Sequence, residues 1–159
     1  MAIKKKFPYR AAVVACKGCR TDEKTTCEYG CIGCGKCVSA CKFGAISIGE
    51  NGIAEVEEEK CIACGRCVKE CLRHIIHIHN CANYIVVKCS NKEKGKDAKE
   101  ACPVSCIGCG MCERTCTAEA IKVKDNCAVI EETACLSCGM CAVKCPRHVI
   151  SDLRGILTK

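Results

Sequence analysis

Twenty-three of the 159 residues are cysteine. Sixteen of them fall into four segments that share one spacing, Cys-x2-Cys-x2-Cys-x3-Cys: Cys31, Cys34, Cys37, Cys41; Cys61, Cys64, Cys67, Cys71; Cys106, Cys109, Cys112, Cys116; and Cys135, Cys138, Cys141, Cys145. Thiolate sulfur selects zinc or iron–sulfur cores, and the spacing separates the two. Zinc cassettes draw two cysteines from each of two loops, whereas each segment here packs four cysteines into eleven residues. Three closely spaced cysteines on a tight loop can cap three irons of one cube. The fourth, carried away by the segment that follows, faces a neighbouring cube. The spacing therefore predicts four [4Fe–4S] clusters with crossed ligation. Cluster one takes Cys31, Cys34, Cys37 and Cys71, and cluster two takes Cys41, Cys61, Cys64 and Cys67. Cluster three takes Cys106, Cys109, Cys112 and Cys145, and cluster four takes Cys116, Cys135, Cys138 and Cys141. A disulfide framework would need an oxidising compartment. The start MAIKKKFPYR is basic, but the apolar stretch after it is too short for a signal peptide, so a reducing cytosol is expected.

Other residues of the cassettes fit the same chemistry. A glycine follows the second cysteine in each (Gly35, Gly65, Gly110, Gly139). There it allows positive φ and close approach of an amide to sulfur. Ile32, Ile62, Ile107 and Leu136 follow the first cysteine and would shield a cube from water. Proline follows the last cysteine only at Cys145-Pro146. Seven cysteines are left over: Cys16, Cys19, Cys27, Cys81, Cys89, Cys102 and Cys127. The favoured reading makes them small buried apolar residues. The alternative is a fifth cluster, for example through Cys16, Cys19 and Cys27 with a fourth partner. His74, His77 and His79 lie near Cys81. Because His77 and His79 alternate with Ile76 and Ile78, a solvated strand edge is expected there rather than a metal site.

An internal repeat organises the cassettes. Val13, Cys16, Cys27 and Cys31 correspond to Val86, Cys89, Cys102 and Cys106, with two extra residues in the second copy. Each copy runs through Ala-Ile (Ala45-Ile46, Ala120-Ile121) to a second cassette and closes on Arg-His-x-Ile (Arg73 to Ile76, Arg147 to Ile150). Two domains are expected, over 11–79 and 84–152, joined around Asn80–Asn83. Short strands are predicted at Ile46–Ile48, Ala54–Val56, Ile76–Ile78, Ile85–Val87, Ile121–Val123 and Ala128–Ile130. Short helices are predicted at Lys36–Cys41, Arg66–Cys71, Met111–Cys116 and Met140–Cys145. Gly52 and Asp125-Asn126 mark hairpin turns. Asn91–Glu100 is read as a solvated loop, and Leu153–Lys159 as a last helical turn or a frayed end. The fold class is α+β.

Composition supports a fold held by clusters. With no Trp, two Phe and three Tyr, the chain cannot build a deep hydrocarbon core. The formal charge of +7 would ordinarily suggest nucleic acid. Four clusters on sixteen thiolates would bring it to about −1, and the aromatic platforms that single strands stack on are missing. No nucleic-acid partner is expected. The longest apolar run, Ala11–Cys16, is too short for a transmembrane segment. No Ser-His-Asp set, paired catalytic carboxylates, Walker loop or GxGxxG is present, so an electron carrier is expected rather than an enzyme.

The cassettes resemble those of bacterial 2[4Fe–4S] ferredoxins in both halves, which implies two tandem ferredoxin-like domains, a polyferredoxin. A narrower likeness lies in Ile85-Val86-Val87, in Cys89-Ser90-Asn91-Lys92-Glu93-Lys94-Gly95-Lys96, in Cys102 and in Cys106-Ile107-Gly108-Cys109. Together these look like the C-terminal ferredoxin region of the B subunit of the Rnf electron-transport complex. Val13-Val14-Ala15-Cys16 and Cys27-Glu28-Tyr29-Gly30-Cys31-Ile32-Gly33-Cys34 are similar to an earlier segment of that protein. The family has a longer insertion between the equivalents of Cys16 and Cys27 and often lacks Cys at the position of Cys34. Its N-terminal membrane helix and small iron–sulfur domain have no counterpart here, so a fragment or a shorter freestanding relative is expected. The resemblance implies relay of electrons between reduced ferredoxin and Rnf-type membrane subunits. It also implies a cytoplasmic place, peripheral on the membrane only through partner subunits. The competing readings are an electron-feeding subunit of a soluble hydrogenase or dehydrogenase, or another oxidoreductase, and a cysteine redox sensor. Lys92, Lys94 and Lys96 offer charge for docking an acidic ferredoxin, although a plain solvated run is the favoured reading.

Overall fold

The computed structural model describes residues 9–18 and 27–157. Its secondary structure is sparse and repeats. The first half runs β1 (Arg10–Val14), α1 (Lys36–Ala40), β2 (Ile46–Ile48), β3 (Ala54–Val56), α2 (Arg66–Glu70) and β4 (Ile76–Asn80). The second runs β5 (Ile85–Val87), α3 (Gly95–Ala101), α4 (Met111–Thr115), β6 (Ile121–Lys124), β7 (Cys127–Ile130), α5 (Met140–Lys144) and β8 (Ile150–Asp152). All pairing is antiparallel and two-stranded. β2 and β3 form a hairpin, as do β6 and β7, while the outer strands close each half as β1–β4 and β5–β8. The second hairpin turns at Asp125 and Asn126, with φ of 48° and 62°, the paired positive-φ geometry of a two-residue turn.

The four cassette helices have five residues each. That is far below the length at which a helix stands alone in water. They exist because their cysteines and neighbours are packed: α1 against α2, and α4 against α5. Each starts from the glycine after the second cysteine, in the left-handed region at φ between 69° and 74°.

Aliphatic residues and sulfur make up the core. In the first half Ala11, Ala12, Val14, Ala45, Ile46, Ile75 and Ile76 pack with Cys37 and Cys61. In the second, Ile85, Ile121, Val149 and Ile150 pack with Cys106, Cys112, Cys141 and Cys145. β1 is buried from Ala11 to Val14 without alternation. Cross-links tie the halves together. Ser90 Oγ donates to Tyr29 O at 2.8 Å, Lys17 Nζ to His148 O at 3.0 Å, and Asn83 Nδ2 to Glu132 O at 2.6 Å. Among the described residues no helix is long and apolar enough to cross a membrane.

Three sequence expectations are corrected. Asn91–Glu100 is not a loop, because its latter part is the helix α3. Asn91 is 1% exposed, and its Oδ1 accepts the Glu93 amide at 2.8 Å, which turns the chain into that helix. Ala98 and Ala101 then face inward. The alternation of small and charged residues in Gly95–Ala101 carries that signal. Residues 153–157, which follow β8, form turns and bends around Asp152 rather than a helix. The carboxylate of Asp152 accepts the amides of Arg154, Ile156 and Leu157, each at 2.8 Å. Finally, β4 runs on to Asn80, which pairs with Arg10. This extension carries His79 opposite Ala11 to a position only 2% exposed, not to a solvated edge.

Candidate iron–sulfur sites

Each cassette is a loop, one helical turn and a reversal, and backbone chirality sets its shape. Three positions per cassette lie in the left-handed region. Before the second cysteine stand Gly33, Ala63, Gly108 and Ser137, and after it Gly35, Gly65, Gly110 and Gly139. Three residues past the last cysteine stand Gly44, His74, Glu119 and His148. The last set explains two of the histidines: His74 and His148 close a turn, their amides donating to Cys71 O and Cys145 O at 3.1 and 3.2 Å. Residue type singles out only the middle set, which is glycine throughout.

The fold brings the cysteines into quartets. Cys31, Cys34, Cys37 and Cys71 line one cavity, under Val14, Ile32 and Ile76. Cys106, Cys109, Cys112 and Cys145 line a second, and Cys116, Cys135, Cys138 and Cys141 a third. Cys67 lies close enough to Cys61, Cys64 and Cys41 for their charges to interact. In every quartet the second cysteine of a cassette is exposed (Cys34, Cys64, Cys109, Cys138). The third sits in the first helical turn (Cys37, Cys67, Cys112, Cys141), and its thiol pKa is raised by burial first, with neighbouring sulfurs adding to the rise. Cys67 is pushed up to about 11 and Cys141 to about 12. Sulfurs that repel one another when ionised form a donor set that requires a cationic core.

Backbone amides aim at the sulfurs. Gly33 N and Ala54 N donate to Cys31 Sγ at 3.4 Å, and Ala63 N donates to Cys61 Sγ at 3.5 Å. Ser137 N donates to Cys135 Sγ at 3.4 Å, Ala12 N to Cys61 Sγ at 3.3 Å and Ala120 N to Cys116 Sγ at 3.3 Å. Such bonds stabilise thiolate and tune a bound cluster. The quartets are also too open for a single ion. Zn–S bonds of 2.3 Å in a tetrahedron set sulfurs about 3.8 Å apart. Among the described residues, the group of three whose ligand atoms all lie within 4.8 Å of one another is Glu58, His79 and Cys81, not a set of cysteines. The donor sets therefore suit a polynuclear cube. Shielding by the residue after the first cysteine is uneven: Ile32, Ile107 and Leu136 all lie in cavity walls, but Leu136 is 75% exposed.

The remaining cysteines are not scattered. Cys16, Cys27, Cys89 and Cys102 line one cavity where the two halves meet. Cys81 sits with Glu58 and His79, whose buried Nδ1 has no hydrogen-bond partner. Cys127 donates to Cys89 O at 3.3 Å. Side-chain hydrogen bonding with the Cys127 thiol lowers the pKa of Cys89 and of Cys106, and the same two contacts raise that of Cys127. Cys19 lies outside the described residues.

Comparison with known proteins agrees with this chemistry. Residues 30–75 and 60–121 match families described as 4Fe-4S dicluster domains, and residues 132–148 a 4Fe-4S binding domain. The chain is 42% identical over 125 residues to the B subunit of the Na(+)-translocating ferredoxin:NAD(+) oxidoreductase complex of Acetobacterium woodii, covering 79% of this chain and 38% of the relative. The B subunit of the proton-translocating ferredoxin:NAD(+) oxidoreductase complex of Clostridium ljungdahlii is 44% identical over 126 residues, covering 78% of this chain and 44% of its own. The B subunit of the ion-translocating oxidoreductase complex of Methanosarcina acetivorans is 41% identical over 129 residues, covering 81% and 49%. The chain thus spans less than half the length of each of these relatives. The chain thus carries ferredoxin-type 4Fe-4S dicluster domains in an α+β fold, and over about four-fifths of its length it is similar to part of the B subunit of these oxidoreductase complexes.

Proposed function

We propose that this chain relays electrons, one at a time, between reduced ferredoxin and an Rnf-type membrane oxidoreductase complex. Two dicluster units, over 11–79 and 84–152, hold four clusters. Their ligands are Cys31, Cys34, Cys37 and Cys71; Cys41, Cys61, Cys64 and Cys67; Cys106, Cys109, Cys112 and Cys145; and Cys116, Cys135, Cys138 and Cys141. The observation that carries this reading is the crossing. Cys71 and Cys145 lie in the cavities of the preceding cassettes, and Cys116 lies in the cavity of the following one.

When bound, the clusters supply reversible one-electron exchange without proton transfer. The protein's own residues do the rest. Crossed ligation fixes the two sites of a unit close together. Amides such as those of Gly33 and Ala63 offset the charge on sulfur. Exposed Cys34, Cys64, Cys109 and Cys138 bring each site to the surface on one side, where electrons can enter or leave. The chain takes the part of an electron-transfer subunit, with the reaction itself completed by its partners.

The test is a titration of the anaerobically prepared holoprotein with reduced ferredoxin, read by electron paramagnetic resonance. The expected result is stepwise appearance of several reduced cluster signals, with Cys71→Ser altering the site of the first cassette and leaving that of the second. Protein that contains zinc and no acid-labile sulfide, or clusters that ferredoxin does not reduce, would overturn the reading.

A further inference from the structure

Four cysteines that the cassettes do not use converge at the junction of the halves. Cys16 follows β1 and Cys89 follows β5, while Cys27 and Cys102 stand four residues before the first and third cassettes. The repeat thus supplies one pair from each half, and the pairs face each other across a single cavity. From this geometry we infer that Cys16, Cys27, Cys89 and Cys102 bind a fifth [4Fe–4S] cluster that bridges the two dicluster units.

Three observations carry the inference. First, all four sulfurs accept backbone amides, as the cassette sulfurs do. The Cys31 amide donates to Cys16 Sγ at 3.4 Å and the Cys106 amide to Cys89 Sγ at 3.2 Å. Amides of Tyr29 and Gly30 serve Cys27, and that of Val104 serves Cys102. A thiol buried merely as a small apolar side chain would not collect such donors. Second, no three of these sulfurs lie within 4.8 Å of one another, too open for one tetrahedral ion. Yet Cys16, Cys27 and Cys102 all lie near enough to Cys89 for their charges to interact. Third, two glycines leave room beside the sulfurs, and two lysines stand in the wall. A Cβ on Gly18 would lie 3.5 Å from Cys102 Sγ, and one on Gly30 would lie 3.4 Å from Cys16 Sγ. Lys17 and Lys88 border the cavity and offset negative charge.

The position gives the site its role. The donors to Cys16 and Cys89 are the amides of Cys31 and Cys106, whose own sulfurs belong to the first and third quartets. One peptide thus separates the central site from a cluster site in each half. An electron received from one side is passed to the other, and the four thiolates, having released four protons at assembly, are themselves neither oxidised nor reduced. The two short wires become one. The central set differs from the sequence-based alternative, which groups Cys16, Cys19 and Cys27.

This inference rests on the four-cluster reading, and one measurement separates them. Iron and acid-labile sulfide are counted in the anaerobically reconstituted chain and in Cys89→Ser/Cys102→Ser. About 20 of each per wild-type chain, falling to about 16 in the variant with the cassette signals kept, is the expected result. About 16 in both overturns the central site and leaves the cassettes standing, while a wild-type count well below 16 overturns both. Should the double variant not fold, Cys27→Ser leaves three sulfurs at the site. A three-iron resonance absent from wild type is then expected, and its absence at a wild-type count of about 16 overturns the proposal.

Discussion

Gly33 and Gly35 stand two residues apart and answer to different forces. Both have positive φ, 66° and 71°. A Cβ on Gly35 would meet nothing within 4 Å, whereas one on Gly33 would lie 2.5 Å from the carbonyl oxygen of Gly52, in the hairpin turn above it. Positive φ alone does not demand glycine at Gly33, since Ala63 and Ser137 hold the matching positions of the second and fourth cassettes at 57° and 53°. The hairpin does demand it, and Gly108 repeats the situation under Asn126 O at 3.0 Å. Gly35→Ala should therefore cost about 1–2 kcal/mol, the strain of a left-handed alanine. Gly33→Ala must also displace backbone and should cost more. Thermal loss of the visible iron–sulfur absorption, followed anaerobically, ranks them. Equal losses would mean that the hairpin yields freely.

At the scale of elements, a single carboxylate holds the end of the described chain in place. Asp152 gathers three amides from the turn that follows β8, and that turn lays Leu157 onto Gly139 at the start of α5. Burial opposes ionisation of Asp152, but the amides of Leu157, Arg154 and Ile156 outweigh it and hold its pKa below the usual value. A depressed carboxylate stabilises the fold fully above its unfolded pKa of about 4 and loses that contribution as pH falls below it. Asp152→Ala should free the turn at neutral pH and uncover the fourth cassette. Chelators at neutral pH should then strip iron from that site several-fold faster than from wild type. An unchanged rate at neutral pH would show that the turn shields nothing.

What can be read from the sequence follows from how local each feature is. Cassette spacing, helix starts at glycine and hairpin turns at Asp125-Asn126 are encoded within a few residues, and the structure has each of them. Strands β1 and β8 are not legible there, because their pairing joins distant segments and β1 lacks the alternation of a half-buried strand. His79 misleads for the same reason: it is buried beside Ala11 and Glu58, which the local pattern does not contain. The central quartet is visible only as a repeat of Cys16/Cys27 in Cys89/Cys102. That the copies face one another is a property of the junction, which spacing does not carry.

For the whole molecule, the question is where a charged partner meets this chain of sites. The run Lys92, Lys94, Lys96 and Lys99 is interleaved with Glu93, Asp97 and Glu100, and Lys92 already leans toward Asp125 at 4.0 Å. Its field largely cancels within a Debye length. The groove between α1 and α2 is different. Lys36, Arg66 and Lys69 border it with Glu70 as the opposing charge, and Cys34, the exposed cysteine of the first quartet, forms part of its wall. Positive charge beside a surface sulfur both steers an acidic ferredoxin and shortens the path for the electron. Lys36→Glu/Lys69→Glu should therefore slow reduction by ferredoxin several-fold at low ionic strength. The deficit should fade as salt screens the pair, with iron content unchanged. Lys94→Glu/Lys96→Glu should change the rate little. Stopped-flow reduction at two salt concentrations checks both. If the α3 substitutions proved to be the slow ones, electrons would enter beside the junction of the two halves, and the first quartet would stand as an exit rather than an entrance.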